Sequence, residues 1–247
     1  MSTLHLYKLK VHTESCAEMG ASMTFKLEQV LEEMLPFWNK LQNEQKTLFS
    51  QKAIEKNYHT GAILHAGSKD CVGLFLIRSG RIRAYIVTEE GKEITLFRLV
   101  EKELCLFSAS CMMRNISFDI WISAETDVET ILIPTSIYSQ ISEKNIAVSN
   151  FTNDIMSARM STVMWVLEQM IFTSFNKRLA YFLIEQSDLE KTDTLKITHE
   201  QIANHLGSAR EVVTRMLKYF SEEEFILLKR GNIKIIDKEG LIHLTKA

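Results

Sequence analysis

The sequence predicts an α+β protein with an N-terminal β-sandwich, a long central helix and a C-terminal winged helix-turn-helix. Three patterns predict this class. Short apolar segments separated by glycines occupy residues 53–134, which is typical of a sandwich or barrel. A helical periodicity without Gly or Pro follows, over about 25–30 residues. Two short helices that meet at Gly207 then precede a β-hairpin, the order of a winged helix-turn-helix.

The composition of the 247 residues is that of an ordinary folded chain, large enough for two domains, with 46% hydrophobic and 24% charged residues. Its 29 basic and 31 acidic residues indicate neither a nucleic-acid nor a membrane partner. No apolar run approaches the ~18–20 residues of a membrane span, and the four cysteines lack metal-binding spacing. We therefore expect a cytoplasmic protein with free thiols and no contact with a membrane.

Residues 1–25 form a doubtful N-terminal leader. Residues 1–22 have neither clear periodicity nor the continuous apolar core of a signal peptide, whereas a better helical pattern opens at Met23. We expect residues 1–22 to be an added or misassigned leader that precedes the folded protein.

Residues 26–144 are predicted to form the N-terminal sensor domain. Apolar residues at helical spacing from Leu27 to Phe49 predict two short helices separated by Pro36. Glu90–Gly91, between two strand-like segments, predicts a tight hairpin. The predicted strands are 63–64, 73–77, 81–87, 93–98, 120–124 and 128–133.

Residues 145–173 are predicted to form one long dimerisation helix. Apolar positions recur in steps of three and four, a spacing that favours pairing with a like helix. We expect a homodimer formed through residues 148–172; the alternative is a helix packed on its own domain. The predicted stripe consists of Val148, Phe151, Ile155, Ala158, Thr162, Trp165, Gln169 and Phe172.

Residues 174–247 are predicted to form a winged helix-turn-helix DNA-binding domain. Thr198 and Gln201 make a capping box that opens a short helix, which Gly207 ends. A second helix begins at Arg210, and a hairpin over residues 225–236 follows it as the wing.

The outward face of the second helix predicts base recognition, because the N-terminal residues of that helix meet base edges in the major groove. Arginine grips guanine through two acceptors and glutamate accepts from cytosine, so Arg210, Glu211 and Arg215 are the predicted base-reading residues. The alternative is a helical hairpin whose charged face is solvated or binds a protein. The predicted phosphate contacts are Thr198, His199, Ser208, Thr214 and Arg230.

The run ITHEQIANHLGSAREVVTR, residues 197–215, resembles the recognition motif of the CRP/FNR family of bacterial transcription regulators. Residues 58–67 and 74–82 are similar to the sandwich of that family, and the resemblance covers residues 26–240. It implies a cyclic-nucleotide-binding-like jelly roll, or double-stranded β-helix, as the sensor domain. It also implies a homodimeric regulator that acts on RNA polymerase.

The resemblance is greater to the catabolite-activator branch of the family, where the residues matching Arg210, Glu211 and Arg215 read a TGTGA-like half-site. It therefore implies a palindrome of such half-sites, about one helical turn apart. Ala209 departs from the family pattern, which often has Ser before the Arg. We expect the cap of the second helix to fall to Ser208 instead.

The effector is not identified by the resemblance. Members that bind cyclic AMP hold its phosphate with an Arg-Ser pair, and Phe118 and Asp119 stand at those positions. Phe118 offers no donor and Asp119 would repel a phosphate, so cyclic AMP is not expected. We expect a different effector between sandwich and long helix. The residues predicted to surround it are Phe118, Asp119, Trp121, Arg159, Val163 and Met164.

No metal or cofactor is supported by the sequence. Iron–sulfur clusters need clustered thiolates, whereas Cys16 is isolated and Cys105 and Cys111 lack nearby partners. His59 and His65 fall in strands or turns, which does not support a haem. Cys105 and Cys111 are redox candidates, with a buried apolar role as the alternative.

No nucleophile–base pair or phosphate-cradling glycine loop is present, so we do not expect an enzyme. The main prediction is a sequence-specific DNA-binding transcription regulator controlled by an unknown effector. The alternative is a small-molecule or redox-sensing protein whose C-terminal domain mediates protein interaction.

Overall fold

The structure is a computed structural model that describes residues 27–67, 72–106 and 119–246. The predicted leader lies outside these residues, as do Cys16, Cys111 and Phe118.

The N-terminal part is a sandwich of two four-stranded antiparallel sheets, as the glycine-punctuated segments predict. The sheets have the strand orders β1-β8-β3-β6 and β2-β7-β4-β5. The strands are β1 (Ile54–Tyr58), β2 (Ile63–Ala66), β3 (Leu74–Ser79), β4 (Ile82–Val87), β5 (Glu93–Leu99), β6 (Leu104–Cys105), β7 (Trp121–Ala124) and β8 (Val128–Ile133).

Two strands escape the sequence pattern. Strand β1 pairs with β8 at the edge of its sheet and is mostly exposed, so its central residues Glu55, Lys56 and Asn57 are polar and show no alternation. Strand β6 has two residues, too few for any periodicity. The remaining strands agree with their predicted positions to within a few residues.

The sandwich has one core between its sheets and a second beneath its helices. Phe75, Ile77 and Ile122 belong to the inner core. The outer core joins one sheet to helix α1 (27–34), the short 3₁₀ helix Trp38–Lys40 and α2 (Asn43–Lys52). Helix α3 (Thr135–Ser142) closes this layer through Tyr138, whose hydroxyl lies 2.8 Å from Thr152 Oγ1. Burial raises the pKa of Tyr138 to about 12.

Helix α4 (Ile146–Phe172) is the predicted long helix, with 27 residues. Asn145 caps its start by accepting a hydrogen bond from the backbone N–H of Ala147 at 3.0 Å. Its C-cap residue, Thr173, has an extended backbone, and the chain re-enters a helix after Ser174. The break between helices therefore spans two residues.

The C-terminal part is a helical unit with a three-stranded sheet of order β10-β11-β9. The last helix has no counterpart in the prediction. The elements are α5 (Phe175–Glu190), β9 (Thr194–Leu195), α6 (His199–Leu206), α7 (Arg210–Glu222), β10 (Ile226–Lys229), β11 (Asn232–Ile235) and α8 (Lys238–Lys246).

Candidate nucleic-acid interface

Helices α6 and α7 form the predicted helix-turn-helix. Thr198 and Gln201 make both bonds of the capping box at the start of α6. Gly207 ends α6 in the left-handed conformation, with φ of 62°, which a residue with a Cβ rarely adopts. Ile202, Ala203 and Val213 are buried where the two helices cross. The capping box and the glycine turn are therefore those that the sequence predicts.

The first turns of α7 present a polar face to solvent. Arg210, Glu211, Thr214 and Arg215 are all exposed. Within the described residues, the side chains of Arg210, Glu211 and Arg215 form no hydrogen bond or ion pair. Their donors and acceptors are therefore available to an external partner, and the start of a helix favours an anionic one.

The expected cap at Ser208 is wrong. Ala209 occupies the N-cap position of α7, and no side chain accepts a hydrogen bond from the first turn. Ser208 lies one residue too early, and its backbone N–H bonds to the carbonyl of Ala203 at 3.0 Å. The N–H groups of Arg210 and Glu211 thus lack a side-chain cap and remain open to an external acceptor.

Three of the predicted phosphate contacts use their hydrogens within the motif. The hydroxyl of Thr198 donates to Gln201 Oε1 at 3.0 Å, and that of Thr214 donates to the Arg210 carbonyl at 2.9 Å. Thr214 Oγ1 then accepts from His199 Nδ1 at 2.8 Å. Burial, aided by the charge of Arg210, lowers the pKa of His199, so its ring is neutral at pH 7. The bond between His199 and Thr214 joins α6 to α7, and Thr198 caps α6.

The wing supplies exposed basic groups at the end of a hairpin. Lys229 and Asn232 pair across the turn formed by Arg230 and Gly231, and Gly231 has φ of 76°. Lys229, Arg230 and Lys234 are exposed. Arg230 and Ser208 are the two other predicted phosphate contacts. Arg230 forms no ion pair among the described residues.

Comparison with known proteins assigns these elements to one family. The model of the Crp-like helix-turn-helix domain matches residues 177–244. A crystal structure from Eubacterium rectale, described as a transcriptional regulator of the CRP/FNR family, is 47% identical and has a TM-score of 0.86. The match covers 87% of this chain and 100% of that one. This chain belongs to the CRP/FNR family.

Relatives from both branches of the family are similar to this regulator. The fumarate and nitrate reduction regulatory protein of Yersinia pestis is 24% identical over 95% of this chain and 90% of that protein. The cAMP-activated global transcriptional regulator CRP of Pasteurella multocida is 23% identical over 70% of this chain and 85% of that protein. CRP/FNR proteins are transcription regulators that bind DNA and act as dimers, and they are not enzymes. Their effectors differ, so family membership leaves the effector open.

The described part of this CRP/FNR regulator includes no helix both long enough and apolar enough to cross a membrane. It also contains no cluster of three or more side chains suited to hold a metal ion. Cys105 is buried at 1% exposure in the inner core, whereas Cys111 lies outside the described residues.

The described residues that the sequence predicts around an effector have different surroundings. Asp119 is exposed, next to Gly67, and Met164 is exposed on α4. Val163 packs against the inner core. Arg159 stacks on the ring of Phe97, with 5.0 Å between its Cζ and the ring centroid.

A cavity of about 360 Å³ lies farther along α4, where the sandwich, α4 and the DNA-binding unit meet. Among the predicted effector residues that the structure describes, Arg159 lines it, and Asp119, Trp121, Val163 and Met164 do not. Strand β5, α5 and α6 contribute the other walls.

The contact between β5 and α6 is the functional feature that sequence reasoning missed. Arg83 Nη2 donates to the Asn204 carbonyl at 3.0 Å, and Thr95 Oγ1 lies 2.8 Å from His205 Nδ1. Ile94 and Leu206 form a backbone bridge. These partners lie more than 100 positions apart in the chain, so no local pattern relates them.

Proposed function

We propose that this regulator binds DNA as a homodimer, with Arg210, Glu211 and Arg215 reading a TGTGA-like half-site in the major groove. The observation that carries the proposal is the exposed, unpaired state of these three side chains at the start of α7. Arginine pairs bidentately with guanine and glutamate accepts from cytosine, which suits a half-site with alternating G·C pairs. Two half-sites in a palindrome, about one helical turn apart, would match the two-fold symmetry of a dimer.

Phosphate binding is assigned chiefly to the wing and to the turn before α7. Arg230 is exposed, and Ser208 stands next to the uncapped N–H groups of α7. Thr198, His199 and Thr214 are proposed to stabilise the helix-turn-helix and to contact DNA phosphates at the edge of this motif. Because the whole chain has 29 basic and 31 acidic residues, affinity for random DNA should be modest.

Dimerisation is proposed to use α4 within residues 148–172. Its exposed apolar side chains support this assignment, since an unpaired apolar stripe of this length favours a partner helix. A DNA-binding regulator of this kind is proposed to work in the cytoplasm, beside RNA polymerase, with an effector other than cyclic AMP. The exposed carboxylate at Asp119, which would repel a cyclic phosphate, supports the last point.

The test is a comparison of Arg210→Ala with Arg230→Ala. Arg210→Ala should weaken binding to the palindromic site by ~1–3 kcal/mol and relax the preference for one guanine. Arg230→Ala should weaken binding evenly across sequences and reduce the salt slope by about one. Fluorescence anisotropy over a salt series measures the affinity, and selection from a randomised site measures the preference.

Two outcomes would contradict the assignment. An unchanged selected sequence for Arg210→Ala would remove Arg210 from base recognition. Salt-independent or undetectable binding of the wild-type protein to any duplex would favour the alternative function, a C-terminal unit that binds a protein.

A further inference from the structure

The cavity at the junction of sandwich, α4 and DNA-binding unit has a predominantly apolar and aromatic lining. Phe97 comes from β5, Trp165 from α4, and Tyr181 and Phe182 from α5. Trp165 and Tyr181 make an edge contact, with ring centroids 6.4 Å apart. A cavity of about 360 Å³ with such walls falls within the size range of small-molecule sites.

Two of the three arginines in the cavity wall form ion pairs with carboxylates. Arg98 pairs with Glu125 and Glu185, each at 3.0 Å. Arg159 pairs with Glu103 at 3.3 Å. Arg178 is the third arginine in the cavity wall.

Arg178, on α5, has no carboxylate partner among the described residues. Its Nη1 donates to the carbonyl of Leu206 at 3.1 Å, and its Nε is buried without a hydrogen-bond partner in the described structure. Burial lowers the pKa of Arg178, and no acidic side chain offsets this effect. Arg178 is half-buried, and a guanidinium whose Nε is buried without a partner would be stabilised by an anionic ligand.

Gln169 adds a second polar group on the same lining. Its Oε1 is buried and lacks a hydrogen-bond partner in the described part of the chain. A lining with aromatic rings, one unpaired arginine and one free amide oxygen suits an amphipathic molecule. The apolar body would lie among the rings, and an anionic head would approach Arg178.

We propose that this cavity is a binding site for a small aromatic carboxylate, with Arg178 as the residue that selects the anion. The proposal rests on the proposed regulatory function and specifies where its effector binds. Because β5, α4 and α5–α6 all line the cavity, the ligand binds the arrangement in which the DNA-binding unit is docked on the sandwich. By linkage, it stabilises that arrangement.

The experiment uses the 247-residue chain and two matched probes, 2-naphthoate and its neutral analogue 2-naphthamide. Isothermal titration should show the carboxylate bound at least about tenfold more tightly than the amide, which is the effect of one charge-assisted interaction. Arg178→Met should abolish this preference and leave the amide affinity unchanged. Arg178→Lys should retain it in part, and Lys177→Met, which removes the adjacent charge outside the cavity, should retain it fully.

Val166→Trp, which fills the cavity from α4, provides a second variant and should reduce binding of both probes. Thermal melts by circular dichroism establish that each variant is folded. Equal affinity of the wild-type protein for the two probes, absence of binding, or a preference that survives Arg178→Met would overturn the proposal.

Fluorescence anisotropy with DNA on the same samples distinguishes failure of this proposal from failure of the proposed DNA-binding function. Lost DNA binding with intact naphthoate binding would sink the proposed function alone, and the reverse would sink this site alone.

Discussion

At the scale of the residue, His205 shows how the DNA-binding unit is held against the sandwich. Arg83 Nε donates to Thr95 Oγ1 at 2.7 Å, so the Thr95 hydroxyl is free to donate to His205 Nδ1 at 2.8 Å. This direction leaves the proton of a neutral ring on Nε2, which faces Glu125 at 3.6 Å. The imidazole of His205 thus accepts a hydrogen bond between the sandwich and the DNA-binding unit. The order of donors, from Arg83 to Thr95 to His205, fixes this role.

Burial, with the charges of Arg98, Arg83 and Arg81, lowers the pKa of His205 to about 2. In the unfolded chain the ring takes up a proton below its ordinary pKa of 6.5. Between these values the unfolded state binds one more proton than the native state, so stability falls as the pH falls. We expect wild-type protein to lose about 2 kcal/mol more than His205→Gln between pH 7 and pH 5.

Urea unfolding at a series of pH values measures this difference, because the contributions of the other titrating groups cancel in the comparison. His59→Gln, the same change at an exposed position, is the control substitution. Parallel pH curves for wild type and His205→Gln would contradict this prediction, because they would mean that His205 binds its proton equally in the native and unfolded states.

At the scale of the element, α4 has two different apolar faces. Part of the stripe predicted from the sequence faces the rest of the same chain and not a partner helix. Val148, Phe151 and Ile155 pack on their own domain. Thr162 lines the cavity. A second set, in steps of four, three and four, remains between 47% and 61% exposed. It consists of Met160, Met164, Leu167 and Ile171. A heptad spacing on an exposed face is the pattern of a paired helix.

Leu167→Asp should therefore convert the dimer to a monomer, because a carboxylate would be buried opposite the same residue of the partner helix. Ser161→Glu, an exposed change beside the stripe, should leave the dimer intact. Analytical ultracentrifugation over a concentration series measures the state. A dimer that survives Leu167→Asp would move the interface away from this face.

At the scale of the whole molecule, the turn of the helix-turn-helix is also an interdomain contact. A Cβ added to Gly207 would lie 2.6 Å from Ile94 Cγ1 on β5. The same glycine thus serves the left-handed turn and the approach of the DNA-binding unit to the sandwich. Arg83, which is 8% exposed, fastens this approach through the Asn204 carbonyl.

Gly207→Ala should destabilise the protein by more than the ~1 kcal/mol expected for a left-handed residue that gains a Cβ. Gly231→Ala is the matched control, since Gly231 has φ of 76° and nothing lies within 4 Å of its added Cβ. Limited proteolysis at the break after α4 should accelerate in Gly207→Ala and not in Gly231→Ala. Adding Ile94→Ala to Gly207→Ala should slow cleavage again; no recovery would show that the clash is not the cause.

The local elements of this regulator follow from short-range patterns. Short apolar segments between glycines locate most strands, and Thr198, Gln201 and Gly207 locate the helix-turn-helix, because a capping box and a left-handed turn are properties of adjacent residues. The same motif carries the resemblance to the CRP/FNR family. Strand β1 and helix α8 were missed, because each is held by an element far away in the chain: β1 pairs with β8, and α8 packs on α5.

The sequence by itself determined the order of the parts, the helix-turn-helix and the residues it presents at the start of α7. Only the tertiary structure decided which face of α4 stays exposed, how His205 meets Thr95, and which arginine in the cavity lacks a carboxylate. The physical reason is distance along the chain. Capping and periodicity act over a few residues, whereas burial and charge pairing depend on groups that folding brings together from more than 100 positions apart.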